Sequence, residues 1–254
     1  MRRLAAGLVL AATCLAGPAA AQGWKPLFDG RSLKGWTPKI VGYPAGENFA
    51  DTFRVEDQAI VVSYAGYDRF GNRFGHLFQE APWAAYRLRL RYKVLETGAL
   101  PDTPAWARSN SGVMFAAPAP QAMGLGQPFP VSVEFQILGA DGPGPRPTGS
   151  VCTPGTHVTL ADGRAKAHCT ISSGPTIPNG RWVRLELEVR PDGEVIQRIE
   201  GKEVLRYRKV ELDPTDPLAR DMTDGDPAFP GRWIALQSEG HPIAFQDIEI
   251  MPLK

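Results

Sequence analysis

The sequence predicts an all-β protein, a sandwich or barrel of antiparallel strands, and three observations carry that reading. Short runs of alternating apolar and polar residues recur between clusters of Gly, Pro, Asn and Asp. Glycine (27) and proline (24) make up about a fifth of the 254 residues, yet 43% of the chain is hydrophobic, so it is turn-dense rather than disordered. Long segments with a 3.6-residue apolar period, the mark of amphipathic helices, are absent.

Taken in order, the chain opens with Met1-Arg2-Arg3, an apolar run from Leu4 to Leu15, and Ala19-Ala20-Ala21 before Gln22. A basic end, a short apolar segment and an A-x-A tripeptide predict a secretory signal peptide over residues 1–21, cleaved near Ala21. Cys14 offers a lipid-anchor alternative, but Ala11-Ala12-Thr13 matches a lipobox poorly. No other stretch has the length and apolarity of a membrane span. The expected mature protein is therefore exported, periplasmic or extracellular, with residues 22–254 forming one domain.

Strands are predicted at Thr52–Val62, Tyr86–Val94, Gly112–Ala117, Val131–Leu138, Trp182–Val189, Val195–Ile199, Trp233–Gln237 and Ile243–Ile250. In "YRLRLRYK" the residues Tyr86, Leu88, Leu90 and Tyr92 share one face, and Arg87, Arg89, Arg91 and Lys93 the other. In "WVRLELEVR" Val183, Leu185, Leu187 and Val189 oppose Arg184, Glu186, Glu188 and Arg190. If these two strands are neighbours, their charges pair across an exposed face. "RPDGE" at Arg190–Glu194 reads as a hairpin turn. Two packed sheets would bury Val133, Phe135, Leu185, Leu187 and Leu236 between them.

The stretch from Gly139 to Gly180 carries six prolines and reads as irregular; at that length it is functional or tethered. With Cys14 removed, only Cys152 and Cys169 remain, and a single disulfide is the simplest outcome in an exported chain. The competing metal set, Cys152, His157, His168 and Cys169, lacks C-x-x-C spacing and places adjacent residues on one ion.

A formal net charge of +1 points away from nucleic acid and anionic membrane surfaces. There is no G-x-S-x-G elbow, no H-E-x-x-H and no phosphate loop. With four histidines and no spare thiol, any catalysis works through carboxylates, amides and imidazole. Along "PVSVEFQILGADG", Val131, Val133, Phe135 and Ile137 take one face while Ser132, Glu134 and Gln136 take the other. That second face is either a solvated surface or the floor of a site for a hydroxyl-rich ligand.

The motifs "WKPLFDGRSLKGWTPK", "FRVEDQAIVV", "FGHLFQE", "SNSGVMF", "VEFQILG", "GRWVRLELEV", "IEGKEVLRY" and "IALQSEGHPIAFQDIEI" occur in this order. Together they resemble the 3-keto-disaccharide hydrolase family of secreted bacterial proteins, over essentially the whole chain from Trp24. The resemblance implies a concanavalin A-like jelly-roll sandwich of two antiparallel sheets and action on 3-keto-glycosides. Its pattern places Glu134 on the concave sheet beside the Asn-Ser-Gly strand, making Glu134, Asn110, Gln136 and Arg108 site candidates. A 3-keto sugar has an acidified hydrogen at C2, so a base can remove it, the glycosidic oxygen leaves by elimination, and water adds back. Ordinary glycosidases instead need two carboxylates at set separation.

The chain departs from the family pattern at Ala116, Gln197, Glu200, Ser238-Glu239-Gly240-His241 and Gln246-Asp247, where Arg, His or Asn often stand. The base role is therefore expected at Glu134, with His241 or His168 as further catalytic candidates. Trp106 suits stacking on a sugar face, and His157, Gln237 and Glu239 complete the expected substrate-binding set. His76 reads as a structural or surface residue. No cofactor is expected, and the sequence leaves open whether a divalent ion assists. The ligand is expected to be a neutral carbohydrate; a noncatalytic, lectin-like binding sandwich is the alternative function.

Overall fold

The structure is a computed structural model and describes residues 23–222 and 231–254; the expected signal peptide, residues 1–21, lies outside the described residues. Two antiparallel sheets pack face to face. The larger sheet runs in the order Gly163–Arg164, Thr156–Leu160, Lys202–Leu212, Glu194–Ile199, Val183–Val189, Tyr86–Val94, Ile243–Pro252, Ala59–Val62, Phe53–Glu56, with Lys25–Pro26 beside the Ile243–Pro252 strand. The smaller runs Cys169–Thr170, Val151–Cys152, Val133–Leu138, Asn110–Ala117, Trp233–Ser238, Gly75–Gln79, Trp36–Ile40. Among the described residues the one α-helix is a single turn, Pro217–Arg220, capped by the Asp216 carboxylate.

Alternation sets the core. Leu88 pairs with Leu187 and Leu90 with Leu185 across neighbouring strands, and their side chains meet Val133, Phe135 and Leu236 of the other sheet. All five residues expected between the sheets are buried. On the outer face Arg87 bonds Glu186 at 3.0 Å, the expected pairing between these two strands, while Glu188 receives Arg190 (2.7 Å) from its own segment and Arg198 (2.8 Å) from the strand on its other side. Such half-exposed pairs order a surface and contribute little to stability.

Three expectations need correction. Thr52–Val62 is not one strand but a hairpin, Phe53–Glu56 against Ala59–Val62, because Asp57 and Gln58 take left-handed φ values of 47° and 60° and reverse the chain. The stretch 139–180 is not wholly irregular. It contains Val151–Cys152, Thr156–Leu160, Gly163–Arg164 and Cys169–Thr170, strands too short to leave an alternating signature. The strands Trp36–Ile40, Gly75–Gln79 and Lys202–Leu212 were not expected at all. Pro38 obscures the first, which tolerates proline because it forms the edge of the sheet. The second is buried on both faces and so has no polar alternation.

Cys152 and Cys169 face each other in register on adjacent strands and form the disulfide, which ties the edge strand to the smaller sheet. His157 lies on a strand of the larger sheet, 3.3 Å from Asp213, so the four-residue Cys/His set is not assembled. No helix among the described residues is long and apolar enough to cross a membrane.

Candidate active site

The outer face of the smaller sheet carries the residues opposite in parity to the core. Reading across it, Phe78, Ala235 and Met114 form a small apolar cluster with Met123, while His76, Gln237, Asn110, Glu134 and Gln136 bring polar groups to the same side. At one end this face forms the floor of a cavity of about 320 Å³. Asn110, Glu134, Gln136 and Glu239 supply its polar groups; Trp106, Phe129, Pro154, His168 and the Cys152–Cys169 bridge form its walls.

Glu134 is not a solvated surface residue; only 6% of it is exposed. The Asn-Ser-Gly motif explains how a carboxylate fits there. A methyl group on Gly112 would lie 2.5 Å from Glu134 Oε1 and 2.7 Å from its Cγ, so the Glu134 side chain lies over bare backbone. Asn110, two residues earlier on the same face, donates through Nδ2 to the Trp106 carbonyl at 3.2 Å and leaves Oδ1 unpartnered. Glu134 Oε1 and Glu239 Oε2 are also buried without a hydrogen-bond partner among the described residues. Three unpartnered acceptors in one cavity are an unfavourable arrangement for a merely structural sheet surface.

Glu239 is held by its neighbours in the chain. The Tyr64 hydroxyl bonds Ser238 Oγ at 2.6 Å and accepts from the Gly240 amide at 2.6 Å, bracketing Glu239 on both sides. Thr103 Oγ1 donates to the Gly240 carbonyl, and Gly240 takes φ +86°, where a Cβ would strike Thr103. Arg146 donates to the Gly139 carbonyl (3.0 Å) and to the Trp106 carbonyl (3.2 Å), and its charge acts on Glu239. Trp106 is 55% exposed and stacks on Phe74, with ring centroids 5.6 Å apart and planes 12° apart, so the rim ring is held in place with one face free.

Burial pushes the Glu134 carboxyl up to about 8. Burial, and then the Glu134 charge, raise Glu239 well above the carboxylate range, with Arg146 opposing. The two acids thus ionise in sequence, and each opposes the ionisation of the other. A free glutamate releases its proton near 4.5, whereas folded Glu134 keeps it until about 8. Unfolding therefore releases a proton across that window, and the contribution of Glu134 to stability, fully present below 4.5, is lost as pH rises to 8. Glu134→Gln is expected to raise stability at pH 8 by on the order of 3 kcal/mol and to leave it nearly unchanged at pH 4. Thermal melts at the two pH values measure this; an equal shift at both would place the carboxyl in ordinary solvent.

Of the expected site residues, the fold brings together Glu134, Asn110, Gln136, Trp106, His168 and Glu239. Gln237 lies two residues before Glu239 on the same face, fully buried, with neither amide atom partnered. His241 is buried outside the cavity lining, its Nε2 2.9 Å from the Leu95 carbonyl oxygen, and burial holds its pKa below the usual imidazole value. Arg108 is exposed outside the lining, and His157 belongs to the other sheet. The structure adds Phe129, Pro154, Arg146 and Tyr64, all from loops whose sequence carries no signal for them. His76, read as structural or surface, is fully buried on the sheet face that carries the site.

The departures from the family pattern fall almost entirely elsewhere. Gln197 is a buried tie, donating to the Gly149 carbonyl at 2.8 Å and accepting from Tyr207. Ala116, Glu200 and Asp247 take positive φ at a bulge or turn, and neither they nor Gln246 line the cavity. Only Glu239, in the Ser238–His241 segment, does.

Comparison with the curated proteins gives no match. Among solved structures, the chain is similar to a candidate glycosyl hydrolase from Parabacteroides distasonis ATCC 8503, with 16% identity and a TM-score of 0.53 over 92% of this chain and 95% of that one. A second structure of the same description and source gives 17% identity and 0.53 over 91% and 99%. The exoplasmic/lumenal domain of VIP36, in its Ca²⁺- and Man3GlcNAc-bound form, gives 8% and 0.52 over 92% and 91%. Likeness at these identities establishes the fold, a two-sheet sandwich shared with a sugar-bound domain. The family model of the 3-keto-alpha-glucoside-1,2-lyase-like domain matches residues 23–251, and the chain belongs to that family.

Proposed function

We propose that the protein is an exported enzyme that cleaves 3-keto-glycosides, 3-keto-disaccharides among them, by proton abstraction and elimination followed by addition of water. One observation carries the reading: two buried carboxyls with unpartnered oxygens, Glu134 and Glu239, meet in one cavity beside Asn110 and Gln136. A site that only grips sugar gains nothing from burying two acids, because amides and hydroxyls satisfy sugar hydroxyls without the desolvation penalty. Acid and base chemistry near neutral pH needs carboxyls raised in this way.

In the first half-reaction the Glu134 carboxylate takes the C2 proton. The electron pair is held as an enolate on the 3-oxygen, then forms the C1–C2 double bond as the C1–O bond breaks. The still-protonated Glu239 gives its proton to the departing glycosidic oxygen. Water then adds in reverse: Glu239 takes its proton, hydroxide bonds C1, and Glu134, whose carboxyl proton exchanges with solvent while the glycal is bound, delivers a proton to C2. Asn110 and Gln136 orient the ring hydroxyls, and the free face of Trp106 supports the ring. Glu134 is the base in this scheme rather than His241, whose ring is tied to Leu95 outside the cavity lining. The disulfide is compatible with export.

The test is incubation of the protein in D₂O with paired substrates, 3-keto-trehalose and trehalose. The expected result is monosaccharide release from the keto form alone, with deuterium at C2 of the keto product. Equal cleavage of trehalose would replace elimination by ordinary hydrolysis. Binding of both sugars with neither cleaved would make the protein the lectin-like alternative.

A further inference from the structure

Beside the cavity, the same sheet face carries a second polar group with no role in the chemistry above. Lys39 pairs in register with His76, and His76 with Gln237, so the three side chains form one row across three strands. His76 and Gln237 are fully buried and Lys39 is 2% exposed. Neither ring nitrogen of His76 and neither amide atom of Gln237 has a partner among the described residues. Among the described residues the one hydrogen bond of Lys39 Nζ is a 3.4 Å contact to the carbonyl of its neighbour Ile40, and no acid among them pairs with it. Buried groups left without partners are unfavourable, and a cation without a counter-charge more so. Two such unpartnered side chains beside a buried ammonium without a counter-charge, all in one register row, point to a missing ligand.

The row adjoins the site. Gln237 sits two residues before Glu239 on the same face, and Phe129, which lines the cavity, presents its ring to His76 with centroids 6.0 Å apart. Phe129 is thus the partition between the cavity and the row. It sits on the 118–130 loop, which is pinned by Met123 in the outer apolar cluster and by the Gly42 amide donating to the Leu125 carbonyl.

We propose that Lys39, His76 and Gln237 form a second sugar subsite, reached when the Phe129 ring turns aside, for a ring that carries a carboxylate. The set is rich in donors: three on the Lys39 ammonium, two on the Gln237 amide and one on neutral His76. It includes one buried cation without a counter-charge, which a carboxylate on the ligand supplies in the strongest form of hydrogen bond. Gln237 Oε1 and the free His76 nitrogen then accept from ring hydroxyls. In the reaction proposed above this ring is the leaving group, so the substrate is a 3-keto-glycoside of a uronic acid. That assignment rests on the proposed function; the subsite itself does not.

The probes are methyl glucuronide and methyl glucoside, which lack a 3-keto group, so binding is read without turnover by titration calorimetry. Wild-type protein is expected to bind the glucuronide roughly tenfold or more tightly than the glucoside. Lys39→Met keeps the chain length, removes an unpaired buried cation and so should fold at least as stably; it is expected to erase that preference. Glu134→Gln is expected to retain it. Phe129→Ala should speed association of the glucuronide. Equal binding of the two probes, or a preference that survives in Lys39→Met, overturns the subsite. Lys39-dependent binding in a protein that leaves 3-keto-trehalose intact sinks the elimination chemistry and keeps the subsite. Cleavage of 3-keto-trehalose without that preference does the reverse.

Discussion

Glu134→Gln is expected to lower kcat on 3-keto-disaccharides by roughly 10²–10⁴-fold while KM changes far less. The amide keeps the volume of the side chain over Gly112 and much of its hydrogen bonding, so the substrate still seats; what is lost is the group that takes the C2 proton. The pH profile gives the sharper signature. With burial pushing the Glu134 carboxyl to about 8, the wild-type rate should climb toward that value as the carboxylate forms. In Glu239→Gln the limb stays near 8, because Glu239 is still protonated and uncharged when Glu134 ionises, though the rate falls for want of the acid. In Glu134→Gln the limb disappears. A rise in KM with kcat intact would make Glu134 a gripping residue, and unchanged kinetics would return it to the status of a surface side chain.

The second large effect is expected at a residue with no chemistry of its own. Gly112→Ala should reduce kcat by roughly 10–10²-fold with little change in melting temperature. Gly112 does not occupy the left-handed region, so its backbone accepts alanine without strain. The new methyl would overlap Glu134 from Oε1 to Cγ, at 2.5 to 2.7 Å, and the flexible side chain yields more easily than the sheet. Glu134 therefore moves and the strand stays. Kinetics and a thermal melt on the same sample measure both halves of this. A full-rate variant would show that the position of the carboxylate does not depend on Gly112, and a large drop in melting temperature would show that the sheet had moved instead.

Both arguments depend on features that differ in how legible they were. Alternation in "YRLRLRYK" and "WVRLELEVR" was enough to define two neighbouring strands, their inward leucines and their outward charges, because a two-residue period has only two faces to assign. The same rule put Glu134 and Gln136 opposite Val133 and Phe135. It could not say whether that second face met water. Burial of Glu134 comes from the loops that carry Trp106, Phe129 and Pro154, whose positions over the sheet depend on how the chain folds back.

The cysteines show the same division. Export and an even count implied the Cys152–Cys169 bond, but only the strand pairing shows it as a cavity wall next to Glu134. The histidines were the least legible. His241 and His157 stood in suggestive segments, yet one is tied to Leu95 outside the cavity lining and the other sits on the opposite sheet. The sequence by itself determined an antiparallel all-β chain, the inward faces of its strands and the strand that bears the acid, since these follow from local periodicity and turn chemistry; the two-sheet sandwich was implied only by the family resemblance and is settled by the sheet pairing. The partnership of Glu134 with Glu239, the Tyr64 strap and the Lys39–His76–Gln237 row were decided only by tertiary structure. Each depends on which strands lie side by side, a long-range choice made by the whole core rather than by any local stretch.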